Sequence, residues 1–483
     1  MWNIGLWLVA VIVVGISGWV YKWRNPKCKG VLPPGSMGLP FIGESIQYFS
    51  SHSYEGIPPF IAERTARYGG LFKTSILGQP VVISTDPEIN YYVFQQENNL
   101  FQCWYTKSAS DLLGEQGLNV HGGAVHKYLR NLVLSLVGQQ CLKGNLMSEI
   151  DLITRKHLDR WAEHGKVEVK EAAEIMLFTF MAKKTLGCEE QEASELREHY
   201  KAFFGGFLSF PLNVPGTAYH ACLQGRKNIV KVIRDILKKR QSSKEKANQD
   251  FLDHMLKEVE NEESLLTEEI IVDLVLLLLF AAYETTSSSI TLLFKYLNSH
   301  PEVLTELTEE HESILKSRTD EGALISWLEY KSMSFTNMVI NETVRLANIA
   351  PGIFRITLKD VQIKGYTIPA GWTFVVCPSS VHLDPNKYED PLTFNPWRWK
   401  GEELHKGSKK FMAFGGGVRL CAGADLSKMQ TAIFLHYLLT NYRWKVTNEG
   451  NVTRQPGLIF KKGLHIEISK NQGEKNTGNY CLR

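Results

Sequence analysis

"FMAFGGGVRLCAGADLSK" (residues 411–428) places a single cysteine behind three glycines and an arginine, ahead of a helical pattern. No second cysteine lies close enough in the chain to pair with Cys421. The thiol is therefore a metal ligand, a nucleophile or a buried core residue. The frame Phe414-x-x-Gly417-x-x-x-Cys421-x-Gly423 fixes four residues across ten positions. Average composition produces such a frame by chance in roughly one chain per thousand. Glycines allow φ > 0 and let the backbone come close to a flat ligand. The segment 422–439 is helical in pattern, which puts Cys421 at a helix N-terminus, where the dipole and free N–H groups stabilise a thiolate.

The remainder of the chain narrows the choice. Its 483 residues are 44% hydrophobic and 22% charged, with net charge +3. No long basic run is present, which argues against a nucleic-acid partner. Eight cysteines (28, 103, 141, 188, 222, 377, 421 and 481) are scattered, with no CxxC or His-rich pair. Neither a zinc site nor a disulfide framework is indicated. A chain of this length buries a core without staples, and its free thiols suit a reducing compartment.

Residues 4–21, "IGLWLVAVIVVGISGWVY", carry no charge. At about 1.5 Å per residue they span most of a bilayer core. Lys22, Arg24, Lys27 and Lys29 follow at once, so the bulk of the protein is expected on the cytosolic side. A cleaved signal peptide is the alternative; the run is long for one, with no basic n-region and no A-x-A site. Residues 1–21 are thus expected to be a retained membrane anchor. Two glycosylation sequons, at Asn341 and Asn451, would stay unmodified in a cytosolic body.

Residues 22–43 form a basic, Pro/Gly-rich hinge ending in "LPPGSMGLPFIG", which suits neither helix nor central strand. Residues 44–470 read as one large, mainly α domain with a smaller β part, and 471–483 as a polar tail. Segment 71–85 suggests a β-hairpin around Gly78-Gln79, and 359–378 and 442–469 are strand-rich. Segment 240–250 reads as a polar surface loop. Segment 267–300 opens with a Thr cap and two glutamates and stops before Pro301. It is apolar almost all round from Ile270 to Ala282, as a buried central helix of about 50 Å should be. Asp273 and Glu284 interrupt it, which argues against a second membrane span.

A thiolate in a glycine loop of this kind resembles the haem-binding segment of the cytochrome P-450 family. The resemblance runs from the anchor and proline hinge through the cysteine loop. It implies the P-450 fold, haem b as cofactor and Cys421 as the axial iron ligand, whose electron push favours O–O cleavage. Phe414, Gly417 and Gly423 belong to the same haem-binding frame. Arg419 matches the residue that pairs with a haem propionate. In "HKYLR" (126–130) the family's Trp-x-x-x-Arg becomes His126 with Arg130; both, and Arg355 in "PGIFR", are expected at the propionates.

Ala281-Ala282-Tyr283-Glu284-Thr285-Thr286 resembles the family's oxygen-activating turn, with Ala282 where a glycine is usual. Small side chains let the helix pass close over the haem. A Thr hydroxyl can bond back to a carbonyl and loosen the helix, and Glu284 with Thr285 would relay protons. Glu342 and Arg345 share a helix face at i, i+3, and Arg398 in "FNPWRW" matches the third member of the family's structural Glu-Arg-Arg cluster.

By resemblance, substrate contacts fall on Leu112, Leu113, Leu118, Ala281, Ala282, Ile353, Phe354, Leu458 and Ile459. The closest likeness is to the plant branch that oxidises sterols, brassinosteroids and triterpenoids. The expected protein is a single-pass enzyme of the endoplasmic reticulum membrane, facing the cytosol as a monomeric catalytic unit. Its substrate is an apolar steroid, sterol or triterpenoid, with membrane lipid touched by the apolar segment 203–216. No GxGxxG follows a strand, so electrons come from a separate NADPH-dependent reductase. Lys406, Lys409, Lys410 and Lys428 flank the cysteine loop as its docking face. A haem-thiolate isomerase or dehydratase that does not use O2, and a non-catalytic sterol-binding protein, are the competing classes.

Overall fold

The computed structural model describes residues 2–471 apart from 119–120, 208, 210, 243–249, 321 and 403–406. Its spine is the helix Glu268–Ser299, 32 residues long, whose Thr267 Oγ1 accepts the Ile270 amide and so caps the N-terminus. Val169–Leu186 and Ala218–Ser242 pack on this helix, as do Ser334–Ala347 and Ala424–Asn441. Among the described residues it is the helix long and apolar enough to cross a membrane, but 61% of that stretch is buried in the protein. It is a core helix, as Asp273 and Glu284 foretold.

A five-stranded sheet lies beside the helices in the order Leu71–Ile76, Gln79–Ser84, Thr373–Val376, Ile353–Thr357, Phe101–Cys103. Its first pair is the expected hairpin, turning at Leu77 and Gly78, both with positive φ. The edge pairing sets Cys103 opposite Arg355, and that register matters below. Three smaller sheets, from His52–Ser53, Lys166–Glu168, 361–368 and 442–470, complete the β part.

The Pro/Gly stretch 32–43 is tied to the sheet: Pro34 O accepts the Lys73 amide and Glu44 N donates to Ser75 O. Gly35 and Gly43 have positive φ, and a Cβ at either would overlap the backbone of Lys73 or Ser75. The stretch is stitched along the outer strand. Segment 240–250 is only partly a loop. Helix Ala218–Ser242 covers its start, and Arg240 pairs with Asp250 at 2.8 Å and Asp253 at 2.7 Å; residues 243–249 lie outside the described residues.

The N-terminal helix Trp2–Arg24 stands apart from this core. Trp7, Val11, Val14 and Ile16 on it are exposed, and Trp19 meets Phe41 at 5.0 Å between ring centres. The tail beyond residue 471 lies outside the described residues.

Candidate functional site

The cysteine loop leaves the core at Met412 and re-enters it at the helix Ala424–Asn441. The Cys421 amide donates to Phe414 O at 2.9 Å, closing the loop on itself. The thiol is exposed, whereas Cys188, Cys222 and Cys377 are buried. Gly423, just before the helix, has nothing within 4 Å of where a Cβ would stand. A Cβ at Gly416 would overlap the Phe94 ring, and one at Gly417, where φ is +62°, the Phe94 carbonyl. Those two glycines also seat the loop on the helix Pro87–Gln95.

Arg130 lies against the cysteine loop, and His126, Arg355 and Arg419 gather around it. Arg130 Nη1 donates to Leu420 O at 2.6 Å. Burial pulls its guanidinium down, and negative charge on Cys421 would raise it again. His126 is buried on the same helix, Gly123–Val137. Its imidazole is pushed down to about 4, by burial first and then by Arg419, Arg130 and Arg355. Arg355 and Arg419 converge on Glu97: Arg355 Nε is 2.7 Å from one carboxylate oxygen and Arg419 Nε is 3.0 Å from the other. Arg419 also donates to the carbonyls of Leu118, at 2.9 Å, and His121. Three guanidiniums against one carboxylate leave a surplus of two positive charges.

On the long helix, Ala281 and Thr285 are exposed within an otherwise buried stretch. They are four residues apart, so they share a face. Thr285 Oγ1 donates to Ala281 O at 2.9 Å, the back-bond that loosens a helix. Glu284 points elsewhere. It is buried and pairs with Lys170 at 3.0 Å, which also binds Glu174. Burial pushes the Glu284 carboxyl up, and Lys170 works against that shift.

Glu342, Arg345 and Arg398 do come together. Arg345 reaches Glu342 at 2.7 Å and Arg398 reaches it at 2.9 Å, with Glu342 and Arg345 fully buried. The expected substrate contacts divide. Leu112 and Leu113 are buried in the main core, 0% and 3% exposed. A carboxylate shuts them in: Asp273 accepts the Gln116 amide and Arg226, and Arg226 Nε donates to Leu112 O. Phe354 packs on the outer face of the sheet with Phe60 and Val375, while Ile353 packs on the inner face with Val376 and Met412. Leu118, Ala282 and Leu458 are partly buried, and Ile459 alternates to the open side of its strand.

The lysine face is not a free basic patch. Lys409 pairs with Glu88, Lys410 with Glu402, and Lys428 Nζ donates to Asn341 Oδ1 at 2.6 Å; Lys406 lies outside the described residues. Asn341 is itself buried in a helix, so its sequon offers no amide to a glycan. Glu97 and Lys170, central to this geometry, carry no sequence signal. Their decisive partners are distant in the chain, Glu284 lying 114 residues from Lys170 and Arg419 lying 322 from Glu97.

The residues present fit haem b. They offer one exposed sulfur for iron, open backbone at Gly423, and a surplus of two positive charges for two propionates. The comparisons agree with that fit. The family profile described as Cytochrome P450 matches residues 33–467. Cytochrome P450 87A3 of Oryza sativa subsp. japonica is 50% identical over 93% of this chain and 88% of its own length. The beta-amyrin 16-alpha-hydroxylase CYP87D16 of Maesa lanceolata is 43% identical over 97% of this chain and 99% of its own. The solved structure of retinoic acid-bound cyanobacterial CYP120A1 superposes with a TM-score of 0.80, covering 92% of this chain and all of that one; at 24% identity it speaks for the fold. The chain belongs to the cytochrome P450 family and is a P450 monooxygenase.

Proposed function

We propose that this monooxygenase hydroxylates or further oxidises an apolar steroid, sterol or triterpenoid scaffold, using O2 and electrons from a separate NADPH-dependent reductase. The observation that carries the chemistry is the exposed Cys421, with Arg130 bound to the carbonyl of the preceding residue and the start of a helix just after it. The beta-amyrin hydroxylase, alike over nearly its whole length, supports the substrate class.

Bound through Cys421 as a thiolate, haem b supplies the iron at which O2 is activated for insertion into a C–H bond. The chain's own residues do the rest. The helix starting at Ala424 begins three residues after Cys421, and the positive end of its dipole favours the anionic form of the sulfur. Arg130, Arg355 and Arg419 hold the propionates, with His126 neutral among them. Thr285 holds a hydroxyl on the open face of the long helix, and Glu284 next to it takes up protons from the Lys170 side and passes them on. Ala281 and Ala282 leave room above that face. The triad Glu342–Arg345–Arg398 locks the core behind the cysteine loop.

The helix Trp2–Arg24, apolar and exposed, anchors the enzyme in the endoplasmic reticulum membrane, with Lys22 and Arg24 on the cytosolic side. Leu212 and Val214, exposed next to the segment 203–211, extend that contact to the lipid surface. In the test, the reduced, CO-treated protein should give a thiolate-ligated haem spectrum that Cys421→Ala abolishes. A panel of sterols and triterpenes, turned over with a reductase, should give an oxygenated product. A variant that kept the spectrum would remove Cys421 as ligand, and a panel without product would remove the substrate class.

A further inference from the structure

Glu97 belongs to no motif, yet its carboxylate is where Arg355 and Arg419 meet, and its neighbour Asn98 holds the helix of the third arginine. It lies in a tight turn after the helix Pro87–Gln95, where Asn98 has φ +67° and its amide donates to Phe101 O at 2.7 Å. The turn leads into Phe101–Cys103, and the Cys103 amide donates to Glu97 Oε1 at 2.9 Å. That strand pairs with Ile353–Thr357 so that Cys103 lies opposite Arg355. Asn98 Oδ1, next along the turn, accepts the Gly123 amide at 3.1 Å, the first residue of the helix bearing His126 and Arg130. The same few residues therefore set the strand of Arg355, the loop of Arg419 and the helix of Arg130 against each other.

The side chains are almost wholly shielded: Glu97 is 2% exposed, Arg355 3% and Arg419 9%. A carboxylate at that depth is expensive to desolvate, several kcal/mol on the usual scale, unless it is paired. Here it is paired twice, one oxygen to each arginine. Both pairs run through Nε, so the outer Nη groups of the guanidiniums are left to reach further. Arg355 Nη1 donates to Phe354 O and Arg419 uses Nη1 and Nη2 on Leu118 and His121. Each guanidinium has five N–H donors, and those bonds do not exhaust them.

We propose that Glu97 is a positioning residue for the cofactor's carboxylates. It fixes the reach of Arg355 and Arg419 and offsets one of the three guanidinium charges that face the haem edge. The inference rests on the haem-thiolate reading above. Two consequences follow from electrostatics. Without the Glu97 carboxylate the arginines lose their common anchor, and the propionates lose donors held in place for them. Removing a buried negative charge near the iron also favours the reduced state, which carries one more electron, so the midpoint potential rises.

The test uses the full-length, haem-loaded protein in detergent, with Glu97→Gln and Glu97→Asp beside it. Haem transfer to an excess of apo-globin gives the loss rate, and a reductive titration gives the potential. Glu97→Gln should lose haem about tenfold faster or more, the scale of one charge-assisted hydrogen bond, and should have a raised potential. Glu97→Asp, which keeps the charge on a shorter stem, should keep the potential near wild type while losing haem faster. If Glu97→Gln cannot be isolated with haem, the Asp variant decides by the same two readouts. Wild-type loss rate and potential in the variants tested would overturn the proposal. A wild-type protein that binds no haem, or shows no thiolate spectrum, would instead overturn the reading beneath it.

Discussion

Glu342 shows how much can hang on one carboxylate. It accepts from Arg345 Nε and Nη2, Arg398 Nε, Trp399 Nε1 and the Asn395 amide, and it has no exposed surface. Glu342→Ala strands two guanidiniums and should cost about 3–5 kcal/mol, read as a lower denaturation midpoint. Arg345→Lys should not rescue, because a lysine cannot reproduce the two-pronged contact. Thr285 works on a smaller scale. Its hydroxyl sits on an open helix face with no packing role, so Thr285→Ala should leave stability nearly unchanged. It should lower product formed per NADPH consumed; undiminished coupling would take Thr285 out of the proton path. The resemblance set Glu284 beside Thr285 as an acid–hydroxyl pair; in the structure the Glu284 carboxylate pairs with Lys170.

Among the elements, the cysteine loop is held from outside as well as by its own backbone bonds. Phe94 of one helix fills the space left by Gly416 and Gly417. His382 grips the loop's start: its Nδ1 lies 2.7 Å from Asn348 Oδ1, and its Nε2 accepts the Met412 amide at 2.9 Å. Gly417→Ala meets both a positive φ and the Phe94 carbonyl, and should lower stability by about 1–3 kcal/mol. Gly423→Ala meets nothing and should stay within about 0.5 kcal/mol of wild type. Comparing the two melting temperatures separates a packing glycine from one facing open space. The glycine run alone could not have told them apart, because both classes look identical in sequence.

For the whole molecule, four histidines besides His126 are buried and held neutral among the described residues, all chiefly by desolvation. His382 and His311 are pushed down to about 3, and His157 and His436 to about 4. Their ordinary value is near 6.5. The unfolded chain therefore takes up protons below pH 6.5 that the native state refuses. The stability they contribute is full above that pH and falls as the pH drops toward 4. Each contributes a slope of up to about 1.4 kcal/mol per pH unit, so four together approach about 5 kcal/mol per unit near pH 5. A melting temperature flat from pH 8 to 7 and falling steeply below 6 is expected; a flat profile down to pH 4.5 would refute it.

Local pattern laid out most of the skeleton, and the reaction class followed from its resemblance to a known family. The cysteine frame, the i, i+3 acid–arginine pair, the capped apolar helix and the Gly78 hairpin each lie within a few turns of chain, where spacing and periodicity are direct consequences of backbone geometry. Tertiary structure decided what those pieces touch. Glu97 reaches Arg419 across 322 residues, Lys170 reaches Glu284 across 114, and Leu112 and Leu113 vanish into the core behind Asp273 and Arg226. Such pairings follow from strand register and helix packing, and a lone buried charge looks the same in the sequence as a solvated one. Spacing along the chain therefore announces the ligand, while the charge balance around it exists only once distant segments have closed on one another.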